Sequence, residues 1–215
     1  MELPFTHAQF LDAFGAYNRT LWPGVLALWV VSVVFVLGWL LRRRTGHRAL
    51  SGLLAAHWVW SAIAYHLAFF ASVNPAAPVF AILFVAEAVL LFWFGVVRSR
   101  LVFTVGRSFR HVLAVALILY ALVYPLLNLA LGYQFPRSPT FGVPCPSTLL
   151  TAGLLLAVAP APPWTVLAIP ILWTIIGGSA ALLLDVHADL ALILAGVALL
   201  VYGVVGRPRR PATAA

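Results

Sequence analysis

The chain has 215 residues, of which 64% are hydrophobic and only 8% charged. A typical soluble domain carries about 25% charged residues, so water cannot solvate this surface and an integral membrane protein is expected. The formal charge of +8 raises the question of nucleic acid or an acidic partner, but position excludes it. All basic residues are Arg, and eleven of the thirteen fall in three groups: Arg42, Arg43, Arg44 and Arg48; Arg98, Arg100, Arg107 and Arg110; Arg207, Arg209 and Arg210. That is the signature of cytoplasmic segments between membrane helices, not of a phosphate-binding face. The single Cys145 excludes an internal disulfide and a multi-Cys metal site. With Met1 the only methionine, a thioether copper path is excluded, and the absence of Lys removes a retinal Schiff base.

The first twenty residues read as an amphipathic segment on the outer surface. Trp22–Leu41 is long enough to span, since a membrane helix needs ~20 apolar residues. Glu2 and Asp12 precede it and Arg42–Arg44 follow, which sets the N-terminus outside and argues against a cleaved signal. Ala49–Ser72 returns outward to a turn at Asn74-Pro75, and Pro78–Val97 goes inward to the second Arg group. His111–Tyr133 comes back, with Pro125 a candidate kink. After the Pro-rich loop Gln134–Pro146 there is a short apolar run, Ser147–Ala159. Trp164–Leu184, the outer turn Asp185–Asp189 and Leu190–Val205 complete the set. The expectation is an all-α integral membrane bundle of seven transmembrane helices, N-terminus out and C-terminus in. Its parts are an outer segment (1–21), the transmembrane domain (22–205) and a basic cytoplasmic tail (206–215). Trp60-Ser61-Ala62-Ile63-Ala64 resembles Trp173-Thr174-Ile175-Ile176-Gly177, and Gly95-Val96-Val97 matches Gly203-Val204-Val205. Both hint at a 3+1+3 parallel repeat.

Glu87 is the most informative residue. It is the one carboxylate outside the loops and termini, and a charge at mid-bilayer costs at least ~2.5–3.5 kcal/mol on insertion scales. At a rise of ~1.5 Å per residue, Glu87 and Tyr124 lie roughly 13 Å, and His66 roughly 9 Å, below the outer boundary. The three could therefore meet, with Glu87 either ionised by pairing with His66 and accepting from Tyr124, or protonated. Trp60 and Trp173 would wall the site, and Asn128 lies shallower. His57 is two and a half turns from His66 and faces nearly the opposite way, so the two cannot share a metal or haem; beside Trp58 and Trp60 it reads as a packed, hydrogen-bonded histidine. A second group is Pro139-Thr140-Phe141-Gly142-Val143-Pro144-Cys145-Pro146-Ser147-Thr148. With Pro146 taken as the first helical residue, Cys145, Ser147 and Thr148 would sit at a helix N-terminus that favours an anion or thiolate. The alternative is a rigid loop with a buried, inert thiol. Gly177-Gly178-Ser179-Ala180-Ala181 reads as a close helix-packing face.

Ala64-Tyr65-His66, Asn74-Pro75-Ala76, Tyr124-Pro125-Leu126, Pro139 through Thr148 and Trp173 with Ile176-Gly177-Gly178-Ser179-Ala180 carry a family resemblance. The chain resembles a family of small bacterial multi-pass membrane proteins catalogued only as a domain of unknown function. The resemblance implies a bacterial inner-membrane location and no activity. The leading functional expectation is a small-solute or ion transporter with sites at Glu87, His66, Tyr124, Trp173, Trp60, Asn128, Cys145, Ser147 and Thr148, and no catalytic or metal set. Expected partners are the lipid bilayer and a small solute or ion, with a membrane-protein partner or a second copy open and nucleic acid excluded. One rival is a membrane subunit or assembly factor that binds partner helices. The other is a membrane-embedded redox or metal-binding protein using Cys145 and His66.

Overall fold

The computed structural model describes residues 4–41 and 45–206. Glu2, Arg42–Arg44 and the basic tail from Arg207 lie outside the described residues. The first helix, α1, runs from His7 to Leu40. From residue 7 onward the expected outer segment is helical and continuous with the span that follows. A capping box explains the early start: the Thr6 hydroxyl accepts from Gln9 N–H, and the Gln9 side chain accepts from Thr6 N–H. This reciprocal arrangement satisfies two donors at a helix start. At 34 residues, α1 is about 50 Å long, well beyond a ~30 Å hydrocarbon core.

Helix α2 (His47–Trp60) continues without a break into a π-helical stretch, Ser61–Leu67. Helix α3 (Ala77–Leu91) likewise passes into a π-helical end, Phe92–Val97. Helices α4 (Phe109–Ala130), α5 (Pro144–Ala157) and α6 (Trp164–Leu183) follow. A short 3-10 turn, His187–Leu190, leads into α7 (Ala191–Val205). Pro125 lies inside α4, and the helix continues through it. Six of the helical segments are long and apolar enough to cross a membrane. Their large apolar side chains, Ile82, Val89, Ile175, Leu182 and Val204 among them, point away from the core. This is the build of a multi-pass membrane protein, whose surface would be covered by lipid.

The seventh, α5, is different. It has 14 residues, and all but Cys145 are buried. It is the axis of the bundle, packed by α2, α4, α6 and α7. As a helix it covers only about 21 Å, and chain from neighbouring segments closes on both its ends. At the C-terminal end the buried Leu101 and Phe103 fold in, and Phe103 forms a bridge to Val158. At the N-terminal end the buried Phe141 and Val143 do the same. The short apolar run is therefore resolved as a central helix, begun at Pro144 rather than Pro146. Contact with α4 is closest at Gly153: a Cβ there would lie 2.8 Å from the Ala114 carbonyl and 3.0 Å from the Ile118 nitrogen.

Successive helices run up and down, so the bundle has two ends. One carries the α1 start, the 131–143 loop and the 184–190 turn. It is tied by Tyr120 donating to Ala188 O, Tyr133 to Asp185 O, and Asn18 to Pro136 O and Ser138 O. The other carries the arginines and the C-terminus of α5. Arg110 donates there to Leu156 O and Val158 O, Thr104 to Ala157 O, and Tyr202 to Val158 O.

The small-residue run of α6 packs on α7, with Gly177 against Leu192 and Gly178 against Ile193. Trp60 and Trp173, which the repeat would make equivalent, stand in unlike surroundings. Trp60 is half-buried and donates to Tyr17 across to α1, whereas Trp173 is buried among the rings of His66, Phe80 and Phe84.

Candidate functional site

A cavity of about 260 Å³ opens in the loop-bearing end, bounded by the end of α2, the start of α3, α4, the first turn of α5, α6 and the turn before α7. Its polar groups come from Tyr65, His66, Asn74, Tyr124, Cys145, Trp173, Ser179 and Asp189. Aromatic rings form much of the rest. Phe5, Phe10 and Phe14, at the start of α1, lie over it, with Phe14 stacked on Tyr65 at 5.4 Å and Phe10 edge-on to Phe70 at 6.0 Å.

Asp189 is the group that the sequence missed. As part of an outer turn it reads as solvated, yet it is only 6% exposed. The 3-10 turn His187–Leu190 directs it inward while His187 and Asp185 stay exposed. Tyr124 donates to its Oδ1 at 2.5 Å, and Cys145 lines the same cavity. Cys145 is in the first turn of α5, so the positive end of that helix dipole faces a carboxyl group. At this helix start, expected to favour an anion or thiolate, Pro144 and Pro146 have no N–H to offer, and the acidic group beside Cys145 is Asp189. A turn of spacing D-V-H-A-D between two apolar runs carries only one signal of burial, the apolar Val186 and Ala188 flanking its centre; both are buried.

His66 has no exposure, and neither ring nitrogen has a hydrogen-bond partner. Its ring lies 4.9 Å from Phe84, 5.3 Å from Trp173 and 5.7 Å from Phe80, each edge-on. The indole N–H of Trp173 is also unpartnered. It faces Gly177, where a Cβ would lie 3.5 Å from this nitrogen and 3.8 Å from the Cys145 sulfur. Gly177 thus lies between the Trp173 indole and the Cys145 sulfur. Buried polar atoms are nearly always hydrogen-bonded in proteins, so the orphaned nitrogens of these two cavity-lining residues are exceptions that call for an explanation.

Glu87 is fully buried and both its oxygens lack a partner, but it does not line the cavity. The expected meeting of Glu87 with His66 and Tyr124 is therefore not formed: the phenol goes to Asp189, and His66 is boxed by rings. Phe80, Phe84 and Glu87 occupy i, i+4 and i+7 on α3, one face of the helix. Glu87 is thus one turn nearer the arginine end than Phe84, whose ring packs on Trp58 at 4.3 Å and on Trp173 at 4.7 Å. Equal depth counted along separate helices did not distinguish one helix face from another, and this ring layer intervenes.

The remaining expected residues divide between scaffold and open questions. Ser147 joins a buried chain with His57, which contacts Ser32 Oγ at 2.8 Å and Ser147 Oγ at 3.3 Å, while Ser61 donates to Gly142 O at 2.8 Å. His57 is thus a packed, hydrogen-bonded histidine that faces α1 and α5, away from His66. Trp60 does not wall the cavity: it donates at 2.7 Å to Tyr17, which donates to Phe141 O. Gly142 lies under this pair with φ 81°, and any Cβ would fall 2.8 Å from both the Trp60 nitrogen and the Tyr17 oxygen. Asn128 donates to Tyr124 O and Pro139 O, which ties the loop to α4. Thr148 is buried with its hydroxyl unpartnered. Among the described residues, every buried side-chain polar atom without a partner belongs to His66, Glu87, Asn128, Thr148 or Trp173.

Compared with curated proteins and with solved structures, the chain finds no match. The model of one family, described as a family of unknown function (DUF6064), matches residues 7–213. That span takes in every helix described above, and the chain belongs to this family.

Proposed function

We propose that the protein is a carrier for a small solute or ion in the inner membrane of a bacterium. The arginine end would face the cytoplasm, following the positive-inside rule. The observation that carries this reading is the cavity, a space of about 260 Å³ in which a carboxyl group and unpartnered nitrogens meet inside an apolar bundle. Ionisable groups at such depth mark substrate and ion paths in membrane proteins. In this reading residues 22–205 form the transport domain, residues 1–21 cover the cavity through Phe5, Phe10 and Phe14, and residues 206–215 are a cytoplasmic tail. Asp189, Tyr124, His66 and Trp173 hold the solute. The rings of Phe84, Trp58 and Trp173 form the barrier beneath it, and Glu87 takes a proton or cation on the far side.

Flux into proteoliposomes tests the reading. Glu87→Gln is expected to remove the dependence of flux on pH, and Asp189→Asn to lower flux at least tenfold. Flux and pH dependence equal to wild type in both variants would discard the carrier assignment.

A second reading has its own observation. A groove of about 720 Å³ between α2 and α3 is lined by Gly52, Ala55, Ala56, Val59 and Ile63, and small residues let helix backbones approach closely. A membrane subunit that docks a partner helix there would co-purify with that partner in fixed ratio and would tolerate Glu87→Gln.

A further inference from the structure

Resting on the carrier reading, we propose that the cavity selects a small protonated amine with an apolar body, using Asp189 as its counter-ion. The lining contains one carboxyl group and neither Arg nor Lys, so a buried negative charge there has no fixed cation to pair with. Buried charges are found paired, and a positive ligand supplies the missing partner. The donor already on Asp189, Tyr124 at 2.5 Å, holds the carboxyl group in place at the cavity wall.

The walls choose the kind of cation. A hard metal ion requires about six oxygen ligands; this cavity offers one carboxyl group, and among the described residues no three His, Cys, Asp or Glu side chains are grouped to hold a metal. Aromatic faces instead attract an ammonium group and accept its hydrocarbon. The rings of Tyr65, Phe70, Phe80 and Trp173 provide such faces. His66, with neither nitrogen partnered, can accept one ammonium hydrogen bond, and the Trp173 N–H is free for an acceptor on the ligand. A zwitterionic amino acid fits poorly, because its carboxylate would enter a cavity whose only charged group is another carboxylate.

Three probes of one body and different heads test this: 2-phenylethylamine, 2-phenylethanol and phenylalanine, titrated calorimetrically into the full chain in lipid nanodiscs. The amine is expected to bind roughly 10–100-fold more tightly than the alcohol, as a charge-assisted hydrogen bond implies, and more tightly than the zwitterion. Asp189→Asn is expected to erase the difference. Equal affinity for amine and alcohol, preference for the zwitterion, or no heat from any probe overturns the proposal. The comparison of heads on the unaltered chain decides even if the variant fails to fold. Flux separates the two claims: an amine that binds but is not carried sinks the carrier reading and keeps amine recognition. A neutral solute carried without amine preference does the reverse.

Discussion

The two ends of α5 solve the same problem differently. Where the helix finishes, three successive carbonyls are met by side chains: Leu156 O by Arg110, Ala157 O by Thr104, and Val158 O by Arg110 and Tyr202. A cation at a helix C-terminus adds a favourable dipole term. Around the helix start the opposite holds, for the Thr148 hydroxyl, both nitrogens of His66 and the Trp173 N–H are buried and unmet. A bundle able to meet the polar groups at one end has the means to meet those at the other, and the difference is what the proposed ligand would account for.

The sharpest way to break this comparison is Arg110→Ala. It strips the side-chain donor from the Leu156 carbonyl while Tyr202 still meets Val158 O, and an unmet buried carbonyl costs ~1–3 kcal/mol, so thermal unfolding in detergent should show a loss of roughly 1–3 kcal/mol with the cavity's ligand preference intact. If ligand preference shifts as well, the ends are not independent. Gly153→Ala comes next: the added methyl meets α4 backbone that cannot swing aside, and overpacking costs ~1–3 kcal/mol. An unchanged unfolding temperature would mean that the α4–α5 contact is looser than described.

Glu87→Leu should act in the other direction. It replaces a buried group without a protein partner by an apolar one, and stability should rise by about 1 kcal/mol while flux falls. A large loss of stability would reveal a structural partner for Glu87. The smallest effect belongs to Trp60→Phe, which removes one half-buried hydrogen bond to Tyr17, worth ~0.5–1.5 kcal/mol. Amine affinity should not change, and a drop comparable to that of Trp173→Phe would return Trp60 to the cavity wall.

The helices were readable because apolar length and arginine position report directly on what a bilayer tolerates. Their boundaries held to within a few residues for the long spans. Two features escaped for physical reasons. The extension of α1 back to His7 rests on a capping box and on buried Phe14, Tyr17 and Asn18, which composition alone leaves ambiguous. The short fifth run gave no sign of being the axis, since a helix buried on all sides and one facing lipid are apolar in the same way. At the site, residue type was a good guide and pairing was not. His66, Tyr124, Cys145 and Trp173 line one cavity, but Asp189 took the place assigned to Glu87. Helical counting gives depth along one helix, whereas pairing depends on how faces of different helices are turned toward each other.

The burial of α5 has a consequence for how the protein is made. A helix of 14 residues with almost no outward face is too short to settle across the lipid core by itself. During synthesis it emerges after α4 and before α6 and α7, which supply much of its surroundings. Integration of this chain is therefore not a string of independent insertions: the fifth segment must wait, sheltered against α4, until the last two helices arrive to enclose it.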